Sequence, residues 1–478
     1  MSNINEEISE DKEQINEFPS DLIHIENDEE HLIIPEHGDE RADSGDTSTL
    51  GSVFLIINAA LGAGLLNFPK AFDTAGGVLV AVLVQAVLLV FIMSALIILA
   101  RTSDIKGSVT LQELMGTVSG RVGTMVTSII VAVYTFGTCI TFLIIIGDQF
   151  DRALESTMGP RFCDHFYLNR EFLVPVSSVV IILPLCYTKR IDFLKYVSML
   201  GVLTIVYVVM LIVIQYALGN YSQHQGRIKT APDDWLDVMT VVPVICFGYQ
   251  CHVSVIPIYS CMRHRNIKHF SIASSAAILV CCLTYTGAAT FGYLTFGGNV
   301  ADDILLNYSA KQPAVMIALI AMAAKTYTTY PILLFCGREA ISTIIKDTMI
   351  REDSERKEKI RRALIATIWF VATLVIAIEV PDIGIVINLL GSLAAVFIFV
   401  FPGVCLWQTT LNQVSPDLIE EIISSPNSSG SRSDIKKINR PPLVRSFLPC
   451  HWSLYFRVCV DTGTSLDFSK LNIFITYV

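Results

Sequence analysis

Ten apolar runs follow one another between Thr47 and Trp407. Each is close to the length, about 20 residues, that a helix needs to cross roughly 30 Å of hydrocarbon. After an opening stretch at 47–74 come Val78–Leu99, Met125–Ile146, Phe172–Cys186 and Val197–Leu218. A second set holds Val238–Cys261, Ile272–Phe296, Ala314–Phe335, Leu364–Val380 and Ile383–Trp407. Backbone in a bilayer must bond to itself, and runs of this length do so as helices. The expected fold class is therefore an all-α polytopic membrane protein. Charged residues make up 16% of the chain and mean hydropathy is +0.55, whereas soluble domains carry about 25% charged residues. No basic cluster stands beside a stacking platform, which excludes a nucleic-acid partner. Most of the 12 cysteines lie inside apolar runs, without CxxC pairs or metal-binding spacing. They read as small buried hydrophobes, with Cys163 the main loop cysteine.

The flanks differ from this core. Residues 1–46 are acidic and without apolar periodicity, so a disordered cytosolic tail is expected. Within it, Asp28 with Leu32 and Ile33 has the form of an acidic dileucine sorting signal, which would recruit sorting adaptors. Residues 411–478 read as a second polar, disordered tail. Its apolar patch Phe447–Val460 is interrupted by Arg457 and too short to span. Between the tails lie two groups of five spans, 47–218 and 238–407. With the N-terminus in the cytosol, the cytosolic loops and tail carry 19 Lys and Arg against 7 opposite. The positive-inside rule favours that orientation. Sequons at Asn220 and Asn307 then fall in non-cytosolic loops, where glycosylation is possible.

Two spans are interrupted. In the first, Leu61-Gly62-Ala63-Gly64 lies between Asn58 and Pro69, and each Gly disfavours helix by about 1 kcal/mol relative to Ala. Unwound backbone at bilayer depth is tolerated only where protein covers it or it lines a cavity. Its free N–H groups, at the positive end of a half-helix, suit an anion. The bland alternative is a small-residue packing face. In the sixth span, Pro243 and Pro257 bracket Gly248-Tyr249-Gln250-Cys251-His252, and the prolines are expected to kink it. The interrupted spans open successive groups of five. Because five is odd, the groups have opposite orientation, and such matched interruptions point to a transporter site.

The eighth span carries Lys325-Thr326-Tyr327-Thr328-Thr329. Thr328 and Thr329 are hard oxygen ligands for a small cation, or else hydroxyls bonded back to their own helix. Lys325 shares their face and is a charge inside the membrane, a mark of function. It could repel a cation, replace it, or lie near an interface with its head in water.

The segments IINAALGAGLLNFPKAF, PVICFGYQCHVSVIP, YPILLFCGR and PDIGIVINLLGSLAAVFIFVFPG resemble the sodium-coupled neutral amino acid transporters of solute carrier family 38. The likeness covers about residues 47–412, and is greatest to the family's lysosomal exporters of glutamine and asparagine. It implies a five-plus-five inverted repeat like that of the bacterial leucine transporter, with discontinuous first and sixth helices. By that likeness, Gly62, Ala63, Gly64 and Leu65 would bind the substrate carboxylate. Phe247, Gly248, Tyr249 and Gln250 would bind its amine through carbonyls, and Asn58 and Thr329, with Thr328 beside them, would hold sodium. Two departures stand out: the family's eleventh span is missing after about Ser415, and Lys325 is foreign to the eighth. The expected function is ion-coupled export of neutral amino acids, glutamine or asparagine first, with sodium or a proton as the coupling ion. The expected residence is the lysosomal membrane, with the plasma membrane as alternative. The rival is an amino-acid-sensing signalling protein with little net transport. An enzyme is not expected, since the spans hold no HExxH or GxSxG and His252 has no acidic neighbour.

The orientation is checked by epitope access and glycosidase treatment. An N-terminal tag should be reachable from the cytosol alone, and Asn220 or Asn307 should carry glycan. A tag protected inside intact vesicles would invert the topology.

Overall fold

The computed structural model of the chain describes residues 47–159, 166–187, 192–221, 223, 225–263, 265–348, 355–380 and 382–409. The dileucine-like signal, Cys163, both tails and the patch at 447–460 lie outside them, as does the region after Ser415 where the resemblance would place an eleventh span. The described residues are almost entirely helical. In order come α1 (Thr49–Ala60), a 3-10 turn (Ala63–Asn67), α2 (Phe68–Thr74), α3 (Val78–Lys106), α4 (Leu111–Met158) and α5 (Arg170–Tyr187). They are followed by α6 (Asp192–Leu218), α7 (Trp235–Gly248), α8 (His252–Ser260), α9 (Ile267–Phe296), α10 (Pro313–Thr348), α11 (Glu355–Glu379) and α12 (Ile383–Ala395). A π-turn at Val396–Val400 carries α12 on. Nine helical stretches are long and apolar enough to cross a membrane, and the bent α1–α2 pair raises this to ten.

Side-chain caps start several of these helices. Ser48, Asp234, Asn266 and Asp382 accept from free N–H groups in the first turns of α1, α7, α9 and α12, as good N-caps do. The helices also run past the apolar stretches that announce them. α4 is the largest case. Gly120, at φ 68° and ψ −164°, turns its polar first segment away from the spanning part, a conformation open to glycine and hard for other residues.

The molecule is ordered as the bilayer requires. On α3, Leu79, Leu83, Val87 and Val90 form an exposed apolar face, while Gln85, Leu88 and Ile92 are buried. Inside, α4 packs along α10 and α12 along α7, while α9 covers both α1 and α2. Gln85 Nε2 donates to Tyr249 Oη at 2.7 Å and to Thr286 Oγ1 at 3.0 Å, linking α3 to the sixth and seventh spans. The described cysteines make no disulfide, and most are buried.

The two sequon loops meet at one end of the bundle. The Tyr221 and Tyr308 rings are 5.2 Å apart, and Tyr221 Oη accepts from Ser309 N at 3.0 Å. Asn220 is exposed. Asn307 instead uses its carboxamide inside the loop, accepting from Ala301 N and donating to Asn299 O. Beneath it, Asp303 accepts from Gln149 Nε2 and Leu305 N, each at 2.8 Å. Burial, with the Asp148 carboxylate adding to it, pushes the Asp303 carboxyl up to about 7. Arg170 closes the α4–α5 corner on Asp148 at 2.6 Å and on Asp151 at 3.3 Å.

Close helix contact makes one glycine indispensable. A side chain on Gly391 would run into the Pro243 carbonyl of α7, whereas Gly287 on α9 faces open space. Forcing atoms into a packed contact costs about 1–3 kcal/mol, and more against backbone. Gly391→Leu should abolish the monodisperse peak of detergent-extracted protein in fluorescence-detected size exclusion. Gly287→Ala should keep or raise it.

Candidate functional site

The broken spans lie antiparallel. Thr47, just before α1, exchanges backbone bonds with the end of the sixth span: Thr47 N donates to Cys261 O at 3.1 Å, and Arg263 N to Thr47 O at 2.9 Å. With their ends paired head to tail, the breaks meet midway. A Cβ added to Gly64 would lie 3.0 Å from Gly248 Cα. Only two glycines allow the backbones to approach this closely.

The first break is short. α1 ends at Leu61, where ψ turns to 90°, and Gly62 is fully extended at φ −119°, ψ −157°. The chain recoils at once as the 3-10 turn, and Pro69 at the start of α2 needs no N–H donor, as suits proline in a first turn. The two halves are bent by 53°. Ala63, Gly64 and Leu65 thus belong to the tight turn rather than to unwound chain. The second break spans Tyr249 to Cys251. Pro243 and Pro257 do not cause it: both lie inside helices, α7 and α8, and the chain opens after Gly248.

One hydroxyl joins both breaks. Tyr285 Oη, from α9, is 2.8 Å from Ala60 O, 2.8 Å from Gly248 O and 3.3 Å from Gly62 N. Its ring is fully buried and stacks on Phe68 with centroids 4.3 Å apart. Sequence reasoning missed this residue. The only signal was a polar cluster, Thr284-Tyr285-Thr286, in mid-span.

Gln250 and His252 form a polar pair on the second break. Gln250 Oε1 lies 2.8 Å from His252 Nδ1 and 3.5 Å from His252 N. A carbonyl oxygen only accepts, so these contacts assign the proton to Nδ1 and leave a lone pair on Nε2 of the neutral ring. Gln250 Nε2 and His252 Nε2 are buried without a hydrogen-bond partner among the described residues. The pair therefore holds one unused donor and one unused acceptor. The Tyr249 hydroxyl is held by Gln85, and the Phe247 ring packs near Tyr134 and against Gly64 of the first break.

The residues expected to hold a cation lie in the last turn of α1 and on α10. Lys325 is buried, and its Nζ donates to Leu61 O at 2.8 Å, a carbonyl that the end of α1 leaves outside the helical ladder. The lysine stem crosses α6 at Gly201, where an added Cβ would be 3.4 Å from Lys325 Cγ. The interface position considered for Lys325 is thereby excluded. Thr328 donates to Ala324 O and Lys325 O, and Thr329 to Lys325 O. Both hydroxyls are bonded back to α10, yet each oxygen keeps lone pairs. Asn58 is half-buried in the last turn of α1.

The sequence pattern described as transmembrane amino acid transporter protein matches residues 45–415. Sodium-coupled neutral amino acid transporter 7 of Danio rerio is 42% identical over 375 residues, covering 77% of this chain and 80% of that one. The protein of the same name from Homo sapiens is 42% identical over 382 residues, covering 78% and 81%. Solute carrier family 38 member 8 of Homo sapiens is 34% identical, covering 78% and 88%. Among solved structures, that of MhsT in complex with L-phenylalanine overlaps with a TM-score of 0.47 at 14% identity, covering 77% of this chain and 99% of that one. With most of its length matched in pattern and in identity, the chain belongs to the transmembrane amino acid transporter family, in solute carrier family 38.

Proposed function

We propose that the chain carries neutral amino acids, glutamine and asparagine foremost, from the lysosomal lumen to the cytosol by alternating access. The observation that carries this reading is the meeting of the two breaks. They bring the Gly62 N–H and the carbonyls of Ala60 and Gly248, none of them bound in a helical ladder, within reach of a single hydroxyl. Those are the groups that a carboxylate and an ammonium require, and both are common to every amino acid. Gly62, Ala63, Gly64 and Leu65 would receive the carboxylate, and the carbonyls of Phe247, Gly248, Tyr249 and Gln250 the amine. The side chain is read elsewhere. The unused donor of Gln250 and unused acceptor of His252 complement a carboxamide, which has one acceptor and one donor of its own. A site that leaves such groups unpaired rejects side chains lacking them.

The coupling ion is a proton or sodium, and Lys325 decides between them. The relatives are named sodium-coupled, and Asn58, Thr328 and Thr329 each carry an oxygen that can accept a cation. Here, however, the Lys325 side chain already donates to Leu61 O. This favours coupling in which Lys325 takes up and releases a proton, since an ammonium and a sodium ion would repel each other at that carbonyl. Residence in the lysosomal rather than the plasma membrane rests on the acidic dileucine pattern at Asp28, Leu32 and Ile33, read by sorting adaptors. The N-terminus is cytosolic, and Asn220, being exposed, is a better glycan acceptor than Asn307.

Uptake by reconstituted protein tests the whole reading. A radiolabelled panel should rank glutamine and asparagine first, and Gln250→Leu should erase their lead by about tenfold, the scale of one lost polar contact. Binding without flux would mark a sensor instead. With choline replacing sodium, wild type should keep its uptake across a pH series, and Lys325→Ser should acquire sodium dependence. A sodium-dependent wild type that Lys325→Ser leaves unchanged would remove Lys325 from coupling.

A further inference from the structure

Tyr285 belongs to neither broken helix, yet its hydroxyl touches both. The three backbone atoms around it differ in kind: Ala60 O and Gly248 O accept, and Gly62 N–H donates. A hydroxyl has one hydrogen and lone pairs to spare. It can accept from Gly62 N, but it can donate to only one of the two carbonyls at a time, although both lie at 2.8 Å. The set is therefore short by one proton. An ammonium, with three donors, would satisfy both carbonyls at once, and a carboxylate oxygen would take the Gly62 N–H as a charge-assisted bond. The groups that Tyr285 fills imperfectly are those an amino acid would fill completely.

The ring supplies the means of holding on. Phe68, the first residue of α2, stacks on Tyr285 at 4.3 Å and 16° between planes, and Tyr249 lies against it at 5.1 Å. Gly248 has no room for a side chain because the Phe68 ring occupies that place. Tyr285 is thus held by aromatic contacts to Phe68 and Tyr249, and displacing its hydroxyl from the polar groups requires the ring to slide along the Phe68 stack.

We propose that Tyr285 is a latch: in the empty carrier its hydroxyl takes the place of the amino acid between the two breaks, and the substrate's ammonium and carboxylate displace it. This rests on the reading that the breaks bind the amino acid. The latch does two things. It competes with substrate, weakening binding by the worth of the bonds it makes. It also holds the two breaks together when no substrate does, so the empty carrier can change state as one body and return for another load. A tyrosine that merely glued helices together would affect every step alike.

Tyr285→Phe keeps the ring and removes the hydroxyl, and two transport modes separate the outcomes. Efflux of glutamine from liposomes into amino-acid-free medium requires the empty carrier to return, whereas exchange against external glutamine does not. The variant should exchange with a KM lowered about 3–10-fold, the range that one hydrogen bond of about 0.5–1.5 kcal/mol supports. Its net efflux should fall by a similar factor, so that the ratio of exchange to net flux rises. A raised KM would make Tyr285 an ordinary part of the substrate site, and an equal loss of exchange and net flux would make it structural; either overturns the latch. A second measurement is independent of whether that variant folds. With 3-fluorotyrosine placed at 285, the 19F resonance should move when glutamine is added, and an unmoved resonance with glutamine bound overturns the latch. Absence of any amino acid binding or flux by wild type would instead overturn the transport reading, and the latch with it.

Discussion

Backbone that leaves helical form inside hydrocarbon has to find partners for its N–H and C=O groups, because an unpaired one costs several kcal/mol there. This chain does so twice, after Ala60 and after Gly248, and most of its architecture answers that requirement. The breaks are brought against each other, roofed by α9, and stitched by a tyrosine hydroxyl and a lysine ammonium. Such partners are exchangeable. A main-chain carbonyl bonded to a side chain can be bonded to a ligand instead, which a carbonyl inside a helix cannot.

The same economy governs the rest of the interior. Polar side chains inside the bundle are paired across helices: Gln85 with Tyr249 and Thr286, Tyr330 with Thr373, Tyr327 with Ser177. The last two fix helices to one another without reaching the breaks, whereas the bond from Gln85 anchors Tyr249 of the second break. Beside the second break Gln250 and His252 each keep one buried polar atom unpaired, as do several side chains elsewhere among the described residues.

Much of this was legible in the chain alone, for definite reasons. The order of the helices follows from hydropathy, the break at Gly62 from the poor helix propensity of glycine, and the interruption of the sixth span from its polar centre between Pro243 and Pro257. Other features were not legible. Pro243 and Pro257 looked like the cause of the second break, but a membrane helix absorbs a proline when neighbours cover the freed carbonyl. Tyr285 is more than 200 residues from Gly62 in sequence, and a tyrosine in an apolar run is ordinary until its partners are seen. Lys325 stood out as a buried charge, but its acceptor, the Leu61 carbonyl, is main chain and leaves no mark in sequence.

The account stands on the two breaks forming one site in which backbone approaches substrate, and Gly64 is where this is most exposed to test. A side chain there would press on Gly248 Cα, 3.0 Å away, and part the two breaks. Initial uptake of glutamine by purified Gly64→Val protein, at equal reconstituted amount and with a monodisperse size-exclusion profile, is the direct measurement. Uptake should fall to the level of empty liposomes. Uptake equal to wild type would mean that the amino acid is bound somewhere else.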